Sequence, residues 1–216
     1  MRFKDFVARY PNCYHLTAAG AWPHIQRYGL LSTSAVLAQH GRPSDDPAAT
    51  QHRPTGVALA ATDDLPGVLI RDQIPLSTIQ LPNVLTDMTP DEWIAALNAR
   101  VFFFVRRDDA LALSNARAYR EQQHELLTLN TRSLVNTHAS RVELAHLNTG
   151  TVQRASGKRG SDTFTSIDTY KGTLSSVKEL LVRDGVTPLT PHVLTVETVH
   201  AGGAAGTVWT APVDED

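Results

Sequence analysis

A length of 216 residues suits one large domain or two small ones, and 42% hydrophobic against 19% charged residues, with no low-complexity tract, describes a chain that folds around its own core. A single cysteine, Cys13, excludes an internal disulfide; no run approaches the roughly 18 apolar residues of a membrane span; and the charged, aromatic start Met1-Arg2-Phe3-Lys4-Asp5-Phe6 lacks the apolar stretch of a signal peptide, so the cytoplasm is the expected compartment. The net charge of −2 argues against a domain held to nucleic acid by bulk electrostatics.

Phe3, Phe6, Val7 and Tyr10 fall at helical spacing, and Pro11 closes that helix. Residues 13–17 read as a short strand. A helix is expected over residues 18–28, with Trp22 and Ile25 on one face and Gly29 as its stop. Ser32-Thr33-Ser34 caps a further helix through Gln39, ended by Gly41. Residues 41–55, with Pro43, Pro47 and Pro54, read as a loop, followed by strands at 57–60 and 68–71.

Thr89-Pro90-Asp91-Glu92 is the clearest helix start: Thr89 as N-cap, Pro90 at the first helical position and Glu92 completing a capping box. Arg100 to Val105 is a buried strand by its unbroken β-prone character, and Asp108-Asp109 is expected to cap a helix through Tyr119. Strands are expected at 124–129, 142–147, 163–167, 193–199 and 207–210, with Gly202-Gly203 breaking the last two apart. Residues 148–161 form a long loop rich in Gly, Thr and basic residues. Helices concentrate in the first half and strands in the second. The expected class is therefore α+β, with a single domain over residues 1–211 and a polar, acidic tail at 212–216.

Most familiar chemistries find no motif. His124-Glu125 begins like a zinc-protease helix, but Thr128 stands where the second histidine belongs. There is no nucleophile elbow, phosphate loop or dinucleotide glycine fingerprint. Cys13 and His15 share a strand face without being placed for hydrogen-bond contact, so a thiol nucleophile is rejected, and no metal is expected.

The run Tyr14-His15-Leu16-Thr17, then Trp22, Ile25 and Gly29-Leu30-Leu31, is a strand ending in His-x-Thr, a helix and a Gly-Leu return. It resembles the opening of the ADP-ribosyltransferase superfamily, in its diphtheria-toxin-like branch and closest to the DarT-type nucleic-acid ADP-ribosyltransferases. The whole chain also resembles an uncharacterised bacterial family related to that group. The resemblance implies a split β-sheet core with flanking helices and NAD as a substrate, with no metal. His15 would hold a ribose of NAD, and Leu16 and Thr17 would grip the nicotinamide end through their backbone.

The second matching segment is Lys178-Glu179-Leu180-Leu181-Val182-Arg183, followed by Val186 and Pro188. By resemblance Glu179 is the catalytic glutamate on a late strand. Departure of nicotinamide leaves an oxocarbenium-like ribose, which a fixed carboxylate stabilises. Leu174, Val177 and Leu181 also fall at helical spacing, so a surface helix with an exposed Glu179 is the competing reading; the strand is favoured. Val177 stands where arginine-modifying relatives carry a second Glu or Gln, which speaks against protein arginine as the acceptor.

Arg71, after the strand at 68–70, would bind the NAD phosphates in a bidentate fork, although a strand-end arginine is commonly just a solvated charge. Phe104 is the candidate ring beneath the nicotinamide, with a core strand as the plain alternative. The loop before the glutamate strand selects the acceptor in this superfamily. Arg154, Lys158 and Arg159 there would track single-stranded DNA or RNA, or simply face solvent.

The expected function is an NAD-dependent mono-ADP-ribosyltransferase acting on nucleic acid. Its rivals are a non-catalytic nucleotide- or partner-binding module on the same fold and an RNA 2′-phosphotransferase-like enzyme. The latter needs a set of basic residues that the sequence does not visibly assemble.

Overall fold

The computed structural model describes residues 2–152, 157–201 and 203–212. Helix α1 (Phe3–Arg9) leads into β1 (Asn12–Ala18), α2 (Trp22–Tyr28), β2 (Leu30–Leu31), α3 (Thr33–Gln39) and α4 (Pro47–Thr50). Strands β3 (Val57–Leu59) and β4 (Val68–Ile70) form a ribbon, followed by α5 (Leu81–Val84), α6 (Pro90–Asn98), β5 (Arg100–Phe104) and α7 (Arg107–Ser114). The second half carries β6 (His124–Asn130), α8 (Thr131–His138), β7 (Val142–Ala145), β8 (Glu179–Arg183), β9 (Gly185–Val186), β10 (Val193–His200) and β11 (Gly203–Thr210).

Seven strands make one sheet in the order β11-β10-β6-β1-β5-β8-β7, and every pair in it is antiparallel. The class is thus α+β. The two sides of the sheet meet at a weak seam. β1 pairs with β6 along its whole length, from Asn12 opposite Asn130 to Ala18 opposite His124. Against β5 it makes one pair, Tyr14 opposite Phe104, after which the strands part.

Strand alternation sorts the core into two faces. Cys13, Val101, Phe103, Leu127, Leu129, Leu180 and Val182 join the main cluster, covered by α1, α2 and α8 through Phe6, Trp22, Ile25 and Leu134. Leu16 and Leu126 point the other way, onto Ala110 of α7. Trp93, Ile94 and Leu97 of α6 gather a third cluster with Leu76, Leu81 and Val152. Leu37, Ala48, Leu59 and Ile70 make a small outlying one around the β3–β4 ribbon.

Local chemistry explains most element ends. Ser32 accepts from the Ala35 N–H, and Thr89 with Glu92 forms the full capping box. Gly29, at φ 84°, is required where α2 turns into β2, because a Cβ there would lie 2.7 Å from the Val186 carbonyl oxygen.

Several expected boundaries shift. The second helix begins at Trp22 rather than residue 18, because β1 continues to Ala18 under its full ladder with β6. The loop at 41–55 contains α4, capped by the Asp46 carboxylate on the Ala48 N–H with Pro47 at the first position. The helix expected to run to Tyr119 ends at Ser114, and its N-cap is Arg106, with no side-chain cap from Asp108 or Asp109. Residues 163–167 are not a strand; they make a single bridge, Thr165 to Leu144. β11 begins at Gly203, earlier than expected. Helix α8 follows directly from the apolar β6, whose last residue, Asn130, caps it on the Ser133 N–H. Of the tail, 213–216 lies outside the described residues. No helix among the described residues is long and apolar enough to cross a membrane.

Candidate active site

Where β1 and β5 part, the fold leaves a cavity of about 230 Å³, lined by residues from distant segments of the chain, among them His15, Leu16, Arg53, Arg71, Phe104 and Glu179. The seam explains it. The backbone pairing that would continue past Tyr14 is replaced by a side chain: the His15 Nδ1–H donates to the Phe102 carbonyl oxygen at 2.8 Å. A carbonyl only accepts, so Nδ1 carries the proton and Nε2 is left as an acceptor. Burial, and behind it Arg71, hold the imidazole down at about 4, so it stays neutral at physiological pH.

Glu179 opens β8, directly opposite Phe104 on β5 and Ala145 on β7. Opposed residues of an antiparallel pair share a face, so the Phe104 ring and the Glu179 carboxyl stand side by side, away from the main core. Glu179 is 3% exposed. Its Oε2 accepts from Thr149 twice, from Oγ1 at 2.7 Å and from the backbone N–H at 3.2 Å. Burial pushes the carboxyl up to about 7, against the lowering pull of Thr149 and Arg159. Near neutral pH this group divides between acid and carboxylate, a condition suited to proton handling and charge stabilisation at a cleft.

The opposite wall is cationic. Arg53 is 7% exposed; its Nε donates to the Arg71 carbonyl, Nη1 to the Ala48 carbonyl, and Nη1 and Nη2 both to Asn98 Oδ1 at 3.1 Å. Asn98 Oδ1 also accepts from Gln73 at 3.2 Å, while its amide donates to the Ala49 carbonyl at 2.7 Å. Burial brings the Arg53 guanidinium down to about 10, with Asp72 opposing. Arg71 lies over the Tyr119 ring, 4.0 Å from its centroid, and its Nη2 is buried without a hydrogen-bond partner. Tyr119 is itself fixed by donation to Asp72 at 2.7 Å. Neither arginine takes part in an ion pair among the described residues. A buried guanidinium beside a half-buried one, with a free donor and, among the described residues, no carboxylate closer than the through-space influence of Asp72, is costly unless an anionic group completes the arrangement.

Two further hollows adjoin the cavity. One of about 480 Å³, beside β1, α2 and the β3–β4 ribbon, shares Arg71 and contains Thr17. The other, of about 470 Å³ beside α7, shares Phe104 and Glu179.

The structure thus brings His15, Leu16, Arg71, Phe104 and Glu179 together and puts Thr17 next door. The loop cations behave differently. Arg154 lies outside the described residues. Lys158 is exposed and donates to the Asn83 carbonyl at 2.9 Å. Arg159, expected to face an acceptor, is 3% exposed: it donates to the Thr149 and Thr151 carbonyls and lies over the Trp93 ring. It braces the loop that delivers Thr149 to Glu179 and has no reach to an external phosphate. Sequence reading missed Arg53, Asn98, Gln73, Tyr119 and Thr149. Only Arg53 carried a signal, as one of two arginines, with Arg42, in the proline-bearing polar stretch at 41–55.

A family model matches residues 11–193, from the start of β1 to the start of β10, and its description is a family of unknown function, DUF7002. The chain belongs to that family. The matched span contains every residue of the cavity described above. Among curated proteins no match is found. No group of three or more His, Cys, Asp or Glu side chains among the described residues is placed to hold a metal ion.

Proposed function

We propose that this protein is an NAD-dependent mono-ADP-ribosyltransferase, built on an ADP-ribosyltransferase-like core whose sheet is split at the β1–β5 seam. One observation carries the reading: a neutral histidine, an unpartnered arginine nitrogen, an aromatic ring and a buried carboxyl, drawn from distant parts of the chain, line one cavity.

Each group has a task. The His15 Nε2 accepts a hydroxyl of the nicotinamide ribose. The β5-facing edge of Leu16 and Thr17 offers backbone to the carboxamide, and Phe104 packs against the nicotinamide ring. Arg71 and Arg53 face the pyrophosphate, and the hollow beside Thr17 takes the adenosine half. Glu179, once ionised, stabilises the positive ribose as nicotinamide leaves and orients the 2′-hydroxyl. Acceptance by nucleic acid keeps only part of its sequence support, because Arg159 is turned inward.

The test is incubation with NAD labelled in the adenylate half, with single-stranded DNA, RNA and cell lysate as acceptors and Glu179→Ala in parallel. Wild type is expected to release nicotinamide and transfer label, and the variant to lose activity by a factor on the order of 100 or more while keeping its fold. Equal rates would sink the reading. A second reading, a nucleotide-binding module without catalysis, is favoured by the near-complete enclosure of Glu179 under Thr149. It predicts NAD binding with no nicotinamide release.

A further inference from the structure

The hollow beside α7 is larger than the cavity, and apart from the wall they share it is given no role in the NAD assignment above. Glu179 and Phe104 belong to both, so the two spaces meet at the carboxyl. Its volume of about 470 Å³ falls within the range of small-molecule sites, about 300–1,000 Å³. Its walls are apolar at Ala112, Leu113, Ala116 and Leu147, and among the described residues Asp109, His146 and Lys178 are its charged or titratable groups besides Glu179.

That charge pattern decides against a polyanion. The cations Lys178 and Arg106, the latter paired with Asp109, are matched by the carboxylates of Asp109 and Glu179, with Glu179 at the point of reaction. A phosphate backbone needs a run of cations, and of the described loop cations Arg159 is buried against carbonyls and Lys158 is bonded to Asn83.

We propose that this hollow is the acceptor site of the transferase, that it admits an uncharged small molecule bearing a hydroxyl, and that Asp109 is the base that takes the acceptor's proton. The inference rests on the NAD reading above. In the step, a lone pair of the acceptor oxygen forms the bond to C1 of the nicotinamide ribose. The C1–N bond breaks with its electrons going to nicotinamide, which leaves neutral, and the hydroxyl proton passes to Asp109. Asp109 sits in the first turn of α7, tethered to Arg106 at 3.5 Å, and its charge is one of the influences that hold the Glu179 carboxyl high.

The experiment compares wild type, Ala112→Trp and Asp109→Asn with labelled NAD and three acceptor probes: glycerol, agmatine and a short single-stranded oligonucleotide. NAD affinity, nicotinamide release and labelled product are followed separately. Wild type is expected to form ADP-ribosyl-glycerol above the share set by glycerol and water concentrations, and to label the oligonucleotide poorly. Ala112→Trp, which fills the hollow, should lower the fraction of cleaved NAD captured by glycerol at least tenfold, with NAD affinity within twofold. Asp109→Asn should slow capture at least tenfold with NAD affinity within twofold, and Asp109→Glu should restore part of the rate, which a purely structural role for Asp109 would not do. Capture undiminished by Ala112→Trp, or preference for agmatine or the oligonucleotide, overturns the proposal while leaving the NAD reading intact. No nicotinamide release by wild type with any probe, matched by Glu179→Ala, overturns the NAD reading and this inference with it.

Discussion

At the scale of single residues, Glu179 is the most informative group, because its burial makes a thermodynamic statement. Its carboxyl, ordinarily at 4.5, is held at about 7 in the folded chain. The folded state therefore prefers the protonated form, a preference that stabilises the fold fully below about pH 4.5 and is lost as the pH rises through about 7. Glu179→Gln keeps the shape and removes the ionisation. The variant is expected to melt close to wild type near pH 4.5 and to be more stable by about 3 kcal/mol at pH 8, since each tenfold difference in proton affinity between the folded and unfolded chain is worth roughly 1.4 kcal/mol. Thermal melts between about pH 4.5 and pH 8.5 check this, and parallel curves throughout would show that the carboxyl is not held high. The same ionisation governs chemistry. Charge stabilisation needs the carboxylate, so wild-type kcat/KM for nicotinamide release should rise through about pH 7.

At the scale of elements, the chain discloses what is encoded locally and conceals what is encoded by contact. The α6 start was legible because Thr89, Pro90 and Glu92 act within one turn. Thr89→Ala should cost about 1 kcal/mol with the site intact, read as a lowered denaturation midpoint at unchanged slope; a loss several times larger would mean that Thr89 does more than cap. β8 was ambiguous because Leu174, Val177 and Leu181 satisfy a helical period as well as a strand. Pairing on both sides, with β5 and β7, decides for the strand, and no local signal contains that fact. Residues 163–167 show the reverse error, β-prone residues that find only one bridge to join. In the site, His15, Arg71, Phe104 and Glu179 were reached through a family resemblance and single-residue chemistry. Arg53 was not, because its place in the cavity is set by contacts across the fold, and Asn98 and Thr149 were not, because they hold other groups, Asn98 being joined to Arg53 over 45 residues.

At the scale of the whole molecule, the cavity lies where an outlying body meets the main sheet. α3, α4 and the β3–β4 ribbon have their own small cluster, around Leu37, Ala48, Leu59 and Ile70. Asn98, at the end of α6, joins that body to the rest through hydrogen bonds from both nitrogens of the Arg53 fork, from Gln73, and to the Ala49 carbonyl. Asn98→Ala would strip the buried Arg53 fork of its shared acceptor, leaving it the Arg71 and Ala48 carbonyls, and would take the same partner from the Gln73 amide and the Ala49 carbonyl, a loss of about 3 kcal/mol. The cost should fall unevenly, because this side chain is a polar tie at the boundary between the two bodies. Hydrogen exchange is expected to quicken through residues 46–73 while β6 and β10, inside the large sheet, keep their protection. Uniform loss over both regions would show that the two bodies open as one. Since Arg53 and Arg71 reach the cavity from the loosened side and His15 and Glu179 from the other, the variant should bind an anionic ligand more weakly even where its sheet is unchanged. The site is held by the union of the two bodies, and a residue that touches no reacting atom can still set its affinity.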